Sequence, residues 1–188
     1  MLDWARKLVN AVLDGGAPEA DPSLVAAAVG LVATFGEEAD YERFSARAAA
    51  AANPQEERRF LYSLADFRVD ALVDRTLERC RNGDIRTQDA PFVVGRALAN
   101  RRQGERVWRF ITERWDELNE RFPSNTIVRM VAPVASFTRP DLAEGVDAFF
   151  SGHPVPQGAK TLAQTLEKLR VNVALAERER AALVDAVR

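Results

Sequence analysis

The sequence predicts an all-α protein. Large apolar residues recur at steps of three and four, proline and glycine fall where helices would start and stop, and no β-branched run alternates with period two. The plainest case lies in the stretch from Ile85 to Phe122. There Trp108, Ile111, Trp115, Leu118 and Phe122 step by three, four, three and four, which would put all five on one side of a single helix. Burying aromatics of this size is worth roughly 2–3 kcal/mol each.

The elements follow in order. Leu2 to Leu13 has a helical apolar face and ends at Asp14-Gly15-Gly16. Ala17 to Ala20 is a loop. Asp21 caps the next helix, with Pro22 at its first position. That helix is apolar nearly all round, through Leu24, Val25, Ala26, Val29, Leu31, Val32 and Phe35, so it should lie buried between neighbours until Gly36 stops it. Tyr41 to Ala52 is an alanine-rich helix that pairs back on it. Asn53-Pro54 then repeats the Asp21-Pro22 device, 32 residues on from Pro22 to Pro54. The helix it opens turns Phe60, Leu61, Leu64 and Phe67 inward, and a further helix runs from Val69 to Arg81, closed by Asn82-Gly83. Two helix pairs with matching openings point to a helical repeat of roughly 30–40 residues, of the HEAT-like kind.

Thr87 or Asp89 can cap the helix that follows, with Phe92, Val93, Ala97 and Leu98 facing inward, and Gly104 separates it from the Trp108 helix. Asn125 to Ser136 is short and interrupted near Pro133. Pro140 opens a helix carrying Leu142, Val146, Phe149 and Phe150, ended by Ser151-Gly152-His153-Pro154, and a loop runs to Gly158. Thr161 and Gln164 have capping-box spacing. From there Leu162, Leu166, Leu169, Val173, Ala176, Leu183 and Val187 keep one face to the end, apart from a polar break at Arg180. The 188 residues thus read as a single α-helical domain of roughly ten helices.

Composition narrows the function. With 47 % hydrophobic and 29 % charged residues the chain has the balance of an ordinary globular domain. A formal net charge of −2 argues against nucleic acid as a partner. No apolar run approaches the ~20 residues of a membrane span, and Met1 to Leu13 lacks the uninterrupted apolar core of a signal peptide. With Cys80 the one cysteine, the chain reads as cytoplasmic. The one histidine, His153, stands in a loop, so no HExxH or second histidine can complete a zinc site with Cys80. Phosphate-binding glycine motifs are absent too, and the 28 carboxylates are spread over solvated faces. The chain itself therefore presents no catalytic residue, no metal ligand set and no cofactor of its own.

Ile85-Arg86-Thr87-Gln88-Asp89 resembles the I-[RK]-x-Q-[DE] segment of the C-terminal helical domain of aminopeptidase N family zinc peptidases, of the endoplasmic-reticulum-aminopeptidase type. Other segments follow in the family's order. Asn100 to Gly104 resembles its N-x-x-G break, Trp108-Arg-Phe110 its W-x-F, and Trp115-Asp-Glu-Leu118 its N-W-x-x-L with Arg114 in place of Asn. Phe137-Thr138-Arg139 with Leu142 and then Phe149-Phe150 is similar to its F-[ST]-[TR]…L…FF run. Gln164-Thr-Leu166-Glu167 with Val171-Asn172-Val173 is similar to its Q-x-[LI]-E…[NI]-N-I run, after which Ala174 and Leu175 stand where the family has Trp. The resemblance covers about residues 20 to 188.

The resemblance implies a superhelical array of HEAT-like antiparallel helix pairs that caps a zinc-bearing catalytic domain and encloses a peptide-substrate chamber. Zinc and the HExxH that binds it would then belong to the parent's catalytic domain, in the same polypeptide. This chain would be a fragment of the C-terminal domain, lacking its first helices, inactive alone, with that catalytic domain and a peptide substrate as partners. A stand-alone HEAT-like scaffold for a protein partner is the alternative, and a helical transcription regulator of the tetracycline-repressor type is a third class, opposed by the acidic balance. Two readings of Arg86 and Gln88 stay open. In the local one, Arg86 pairs with Asp84 or Asp89 and Gln88 helps to cap the helix. In the functional one, Arg86 and Gln88, with Arg139 as a second candidate, face the chamber, and a guanidinium fork holds the peptide's terminal carboxylate.

Overall fold

The computed structural model describes residues 1–16 and 20–187, and in the last helix the side chains as far as Arg180 together with Ala182 and Val184. The expected loop at 17–19 and the expected inward positions of Leu183 and Val187 lie outside the described residues. Among those described there are eleven α-helices, three short 3-10 turns and no strand, so the predicted fold class holds. No described helix is long and apolar enough to cross a membrane. The chain forms two compact units, Met1–Asn82 and Gly83–Arg188.

In the first unit α1 (Leu2–Leu13) packs on α2 (Pro22–Thr34), and α3 (Glu38–Ala49) packs on α4 (Pro54–Ser63); a 3-10 turn, Leu64–Asp66, leads into α5 (Asp70–Asn82). Both predicted caps are present. The Asp21 carboxylate accepts from the Ser23 N–H at 2.8 Å, and the Asn53 side-chain oxygen accepts from the Glu56 N–H at 2.9 Å. Gly83 closes α5 with φ +96°, a conformation that glycine reaches at no steric cost. Tyr41, Phe44, Phe60 and Phe67 form the aromatic core, edge to face at centroid distances of 5.3–6.0 Å. Arg47 grips Glu56 through Nε at 2.8 Å and Nη2 at 2.6 Å, tying α3 to α4. Burial works against the charged Glu56 carboxylate, but the Ala52 N–H and Arg47 outweigh it and hold its pKa below the usual value.

Helix α2 corrects one expectation. It buries Val25, Ala28, Val29, Val32 and Ala33 on one side only, while Leu24 and Phe35 are about half exposed, at 50 % and 51 %. Within this unit its neighbours cover one face, and Phe35 instead meets the Arg68 guanidinium, 5.0 Å from its ring centroid.

The second unit holds α6 (Ala90–Leu98), α7 (Gly104–Glu113), α8 (Trp115–Arg121), α9 (Ser124–Val131), a 3-10 turn at Ala132–Ser136, α10 (Pro140–Gly152), another at Pro156–Gly158, and α11 (Ala159–Val187). Its pairings are not merely sequential: α6 packs chiefly on α9, and α11 on the Ala132–Ser136 turn. The five residues from Trp108 to Phe122 are all buried, as their spacing predicts, but they do not share one helix. The chain breaks at Arg114 (φ −124°, ψ 22°), and Phe122 is an extended residue past the end of α8. The break lets both tryptophans meet the same partners: Trp108 and Trp115 each lie 5.2–5.8 Å from Phe149 and Phe150. Arg114 covers the bend, with its guanidinium 4.7 Å from the Phe110 ring. The expected Thr161–Gln164 capping box is also corrected. The Pro156–Gly158 turn runs straight into α11 at Ala159, so Thr161 already lies inside the helix.

Cys80 is fully buried on α5, and burial pushes its thiol up to about 12. The neutral thiol then contributes stability that is present below the ordinary thiol pKa of about 8.5 and is lost as pH rises toward 12. In the folded protein at pH 8 the thiol is therefore neutral and screened from reagents by its burial. A disulfide-exchange reagent should therefore label Cys80 at the rate of unfolding. Rapid stoichiometric labelling of the native protein would contradict this.

Candidate functional site

Among the described residues, two clefts of the second unit stand out. One, of about 370 Å³, lies between α10 and α11, walled by Phe150, Val155, Pro156, Leu162 and Leu166. Its charged lining residues close on each other, since Arg170 donates to both oxygens of Asp147 at 2.7 and 3.0 Å. It offers apolar space with its charges already satisfied.

The other, of about 310 Å³, is polar, and it is built by a tight turn facing the start of a helix. After α6 the chain turns at Asn100. The Asn100 carbonyl accepts from the N–H groups of Gln103 and Gly104, at 3.0 and 2.7 Å, and its side-chain oxygen accepts from the Arg102 N–H at 3.1 Å. Gly104 can start α7 there because it has no side chain: a Cβ would sit 2.7 Å from the Leu98 carbonyl and 3.1 Å from the Phe137 ring. Arg101 and Arg102 rise from this turn on one bank. Ser136, Thr138 and Arg139, ahead of α10, form the other, over a floor of Leu98, Phe137 and Leu142.

The predicted site residues divide. Arg139 lines this cleft, but its fork is engaged. Nη1 donates to Glu105 at 2.9 Å, Nε donates to Asp141 at 3.0 Å, and Nη2 makes a further short bond to Asp141. Hydrogen bonding to Arg139 holds the Asp141 carboxyl below its ordinary pKa, and the Asp141 and Glu105 carboxylates raise that of Arg139. Arg86 and Gln88 are exposed and are not among the cleft's lining residues. Arg86 pairs with Asp89, its Nε and Nη2 each 3.0 Å from Oδ2. Asp89 stands at the N-cap position of α6 but caps nothing with its side chain, because the carboxylate, 3 % exposed, is turned to Arg86. The local pairing expected for Arg86 is thus present, with Asp89 as the partner.

Arg101 and Arg102 were not among the sequence candidates. Their signal was available: two adjacent arginines in a turn, with no acidic residue before them back to Asp89. Among the described residues no three His, Cys, Asp or Glu side chains converge. The His153 ring lies stacked on Phe149 at 4.1 Å with Nδ1 2.9 Å from the Phe149 carbonyl, and Cys80 is buried.

Comparison with known proteins gives these features a setting. Residues 1–171 match the family model of the ERAP1-like C-terminal domain. The match includes α1, which the resemblance in the sequence did not reach, and stops within α11. The chain is 28 % identical over 169 residues to alanine/arginine aminopeptidase of Saccharomyces cerevisiae, covering 88 % of this chain and 20 % of that protein. It is 30 % identical over 123 residues to aminopeptidase M1-B of Oryza sativa, covering 64 % and 14 %. Over 126 residues it is 31 % identical to glutamyl aminopeptidase of Rattus norvegicus, covering 63 % and 13 %. The chain spans a fifth or less of the length of these relatives.

Since Asp89 is buried and Arg86 half exposed, Arg86→Ala should lower the unfolding free energy by about 1–2 kcal/mol, more than an exposed pair is worth. Urea denaturation of the variant checks this. A change within about 0.3 kcal/mol would show the pair to be energetically idle.

Proposed function

This chain belongs to the ERAP1-like C-terminal domain family, and on that premise we propose that it is the C-terminal domain of a longer aminopeptidase, which removes N-terminal amino acids from peptides. The family match carries the reading. In it, zinc and the catalytic groups belong to a catalytic domain elsewhere in the same polypeptide, and the parent works in the cytoplasm. The work of this domain is to cap that catalytic domain, enclose the peptide and receive its far end. The half-exposed Leu24 of α2 and Phe35 just after it are consistent with a surface that meets more of the parent.

The site best suited to the peptide's far end is the cleft between Asn100–Gly104 and Ser136–Leu142. It combines guanidinium groups, which bind carboxylates bidentately, with an apolar floor for the last side chain. No proton or bond-making step falls to this domain. Its contribution is positional, because holding both ends of a peptide orients the scissile bond at the catalytic centre. Arg139 acts by neutralising Glu105 and Asp141 at the rim. A stand-alone scaffold would instead use the same surface for a protein partner.

The test uses the full-length parent. Arg139→Ala leaves two uncompensated carboxylates at the cleft. Cleavage of a ten-residue peptide with a free C-terminus should fall about fivefold, by roughly 1 kcal/mol in kcat/KM. A short aminoacyl reporter, which does not extend to this domain, should be cleaved within twofold of the unaltered rate. An equal loss on both substrates, or no loss on either, would contradict the proposal.

A further inference from the structure

We infer that the apolar cleft between α10 and α11 is a separate binding site, that its ligand is a free α-amino acid with an apolar side chain, and that Asp147 and Arg170 hold the ligand's ammonium and carboxylate groups. The site does not depend on the proposed function. Its meaning for the parent does, because free amino acids are what an aminopeptidase releases. Three observations carry the inference.

The first is a wall that is set before any ligand arrives. Phe150, Val155 and Leu162 line the cleft although each is only 5–7 % exposed. Phe150 is held from behind by Trp108 and Trp115, at centroid distances of 5.7 and 5.8 Å. The Pro156–Gly158 turn lies so close to α9 that a Cβ at Gly158 would sit 2.5 Å from Val128. Little has to be ordered on binding, which keeps the entropic cost low. At about 370 Å³ the cleft is near the lower end of small-molecule sites, with room for one branched or aromatic side chain and the groups attached to it.

The second is the charge pair. Asp147 and Arg170 are the charged residues of the lining, one on each helix. Without ligand they close on each other at 2.7 and 3.0 Å. Their side chains are 34 % and 60 % exposed, which puts them on the solvent side of the buried wall. An ion pair this exposed contributes little to stability, so opening it costs little, provided that both charges find new partners. That condition selects the ligand. A simple carboxylate takes Arg170 and strands Asp147, and a simple amine does the reverse. A neutral apolar molecule leaves the pair closed and gains only the wall. A zwitterion replaces one ion pair by two, with the guanidinium fork on its carboxylate.

The third is Ser151, one turn after Asp147 on α10 and also in the lining. Its hydroxyl donates to the Asp147 carbonyl at 2.8 Å, so the oxygen's lone pairs remain to accept from an ammonium beside Asp147. Acceptors for an ammonium thus stand on α10, and the donor for a carboxylate stands on α11. An α-amino acid carries both charged groups and its side chain on one carbon. It can therefore place the charges on Asp147 and Arg170 while the side chain rests against Phe150, Val155 and Leu162.

The experiment is isothermal titration calorimetry of the 188-residue chain at neutral pH and low salt. L-Leucine should bind at one site with a Kd of about 0.5 mM, as suits a ligand of this size. Isocaproate, which lacks the amine, and isoamylamine, which lacks the carboxylate, should each bind at least about tenfold more weakly. Asp147→Asn and Arg170→Gln should each weaken leucine about tenfold and leave the far-UV circular dichroism unchanged, since neither side chain is buried. Ala163→Phe fills the cleft from an exposed position in the lining and should abolish leucine binding with the ion pair intact. Four results would each overturn the inference: isoamyl alcohol binding as tightly as leucine, isocaproate binding as tightly as leucine, leucine affinity that survives both charge substitutions, or no leucine binding at about 10 mM. None of them bears on the polar cleft, whose test uses long peptides and Arg139, so the two readings fail separately.

Discussion

The candidate site depends on one close approach. At Gly104 the first turn of α7 passes so near the Leu98 carbonyl and the Phe137 ring that a methyl group would have to displace backbone on one side or an aromatic ring on the other. With hydrogen there, the Asn100 turn folds back over the end of α6 and α7 begins at once. That single contact brings two segments more than thirty residues apart in sequence, Asn100–Glu105 and Ser136–Leu142, to opposite banks of one cleft. The Arg139–Glu105 ion pair then bridges the banks at the rim.

The far end of the same block is locked by aromatics. The bend at Arg114 turns Trp115 back so that it shares Phe149 and Phe150 with Trp108, fastening α7 and α8 along α10. Each edge-to-face pair of this kind is worth about 0.5–1.5 kcal/mol beyond the area it buries. The cleft therefore shares α7 and α10 with a cluster of four large rings, Trp108, Trp115, Phe149 and Phe150. A binding site carried on such a support keeps its geometry without ligand, which suits a role of holding a substrate end at a fixed distance from distant chemistry.

How much of this was legible in the sequence follows the range of the interactions. The caps at Asp21 and Asn53 were readable because each is settled within three or four consecutive residues. The burial of Trp108, Ile111, Trp115, Leu118 and Phe122 was readable from spacing, but the break between them was not, because contacts with α10, over thirty residues on, favour it. Thr161 and Gln164 had the spacing of a cap, yet the Pro156–Gly158 turn had already started the helix. Leu24 and Phe35 were expected inside because composition reports how apolar a helix is and not how many neighbours it has. The site shows the same pattern. Arg86 and Arg139 were singled out through motif resemblance, and motif does not reveal that Asp89, Asp141 and Glu105 occupy their guanidinium groups. Arg101 and Arg102 stand out only when the ion pairs of the folded chain are known.

The central claim is that the end of a peptide rests in the cleft between Asn100 and Leu142. The most direct measurement is a structure of the full-length parent with a peptide of about ten residues bound and its cleavage blocked at the N-terminus. The predicted result is the peptide's terminal carboxylate within hydrogen-bonding distance of Arg101 or Arg102, with its last side chain against Phe137 and Leu142. A peptide C-terminus bound by other residues, with this cleft empty, would contradict it.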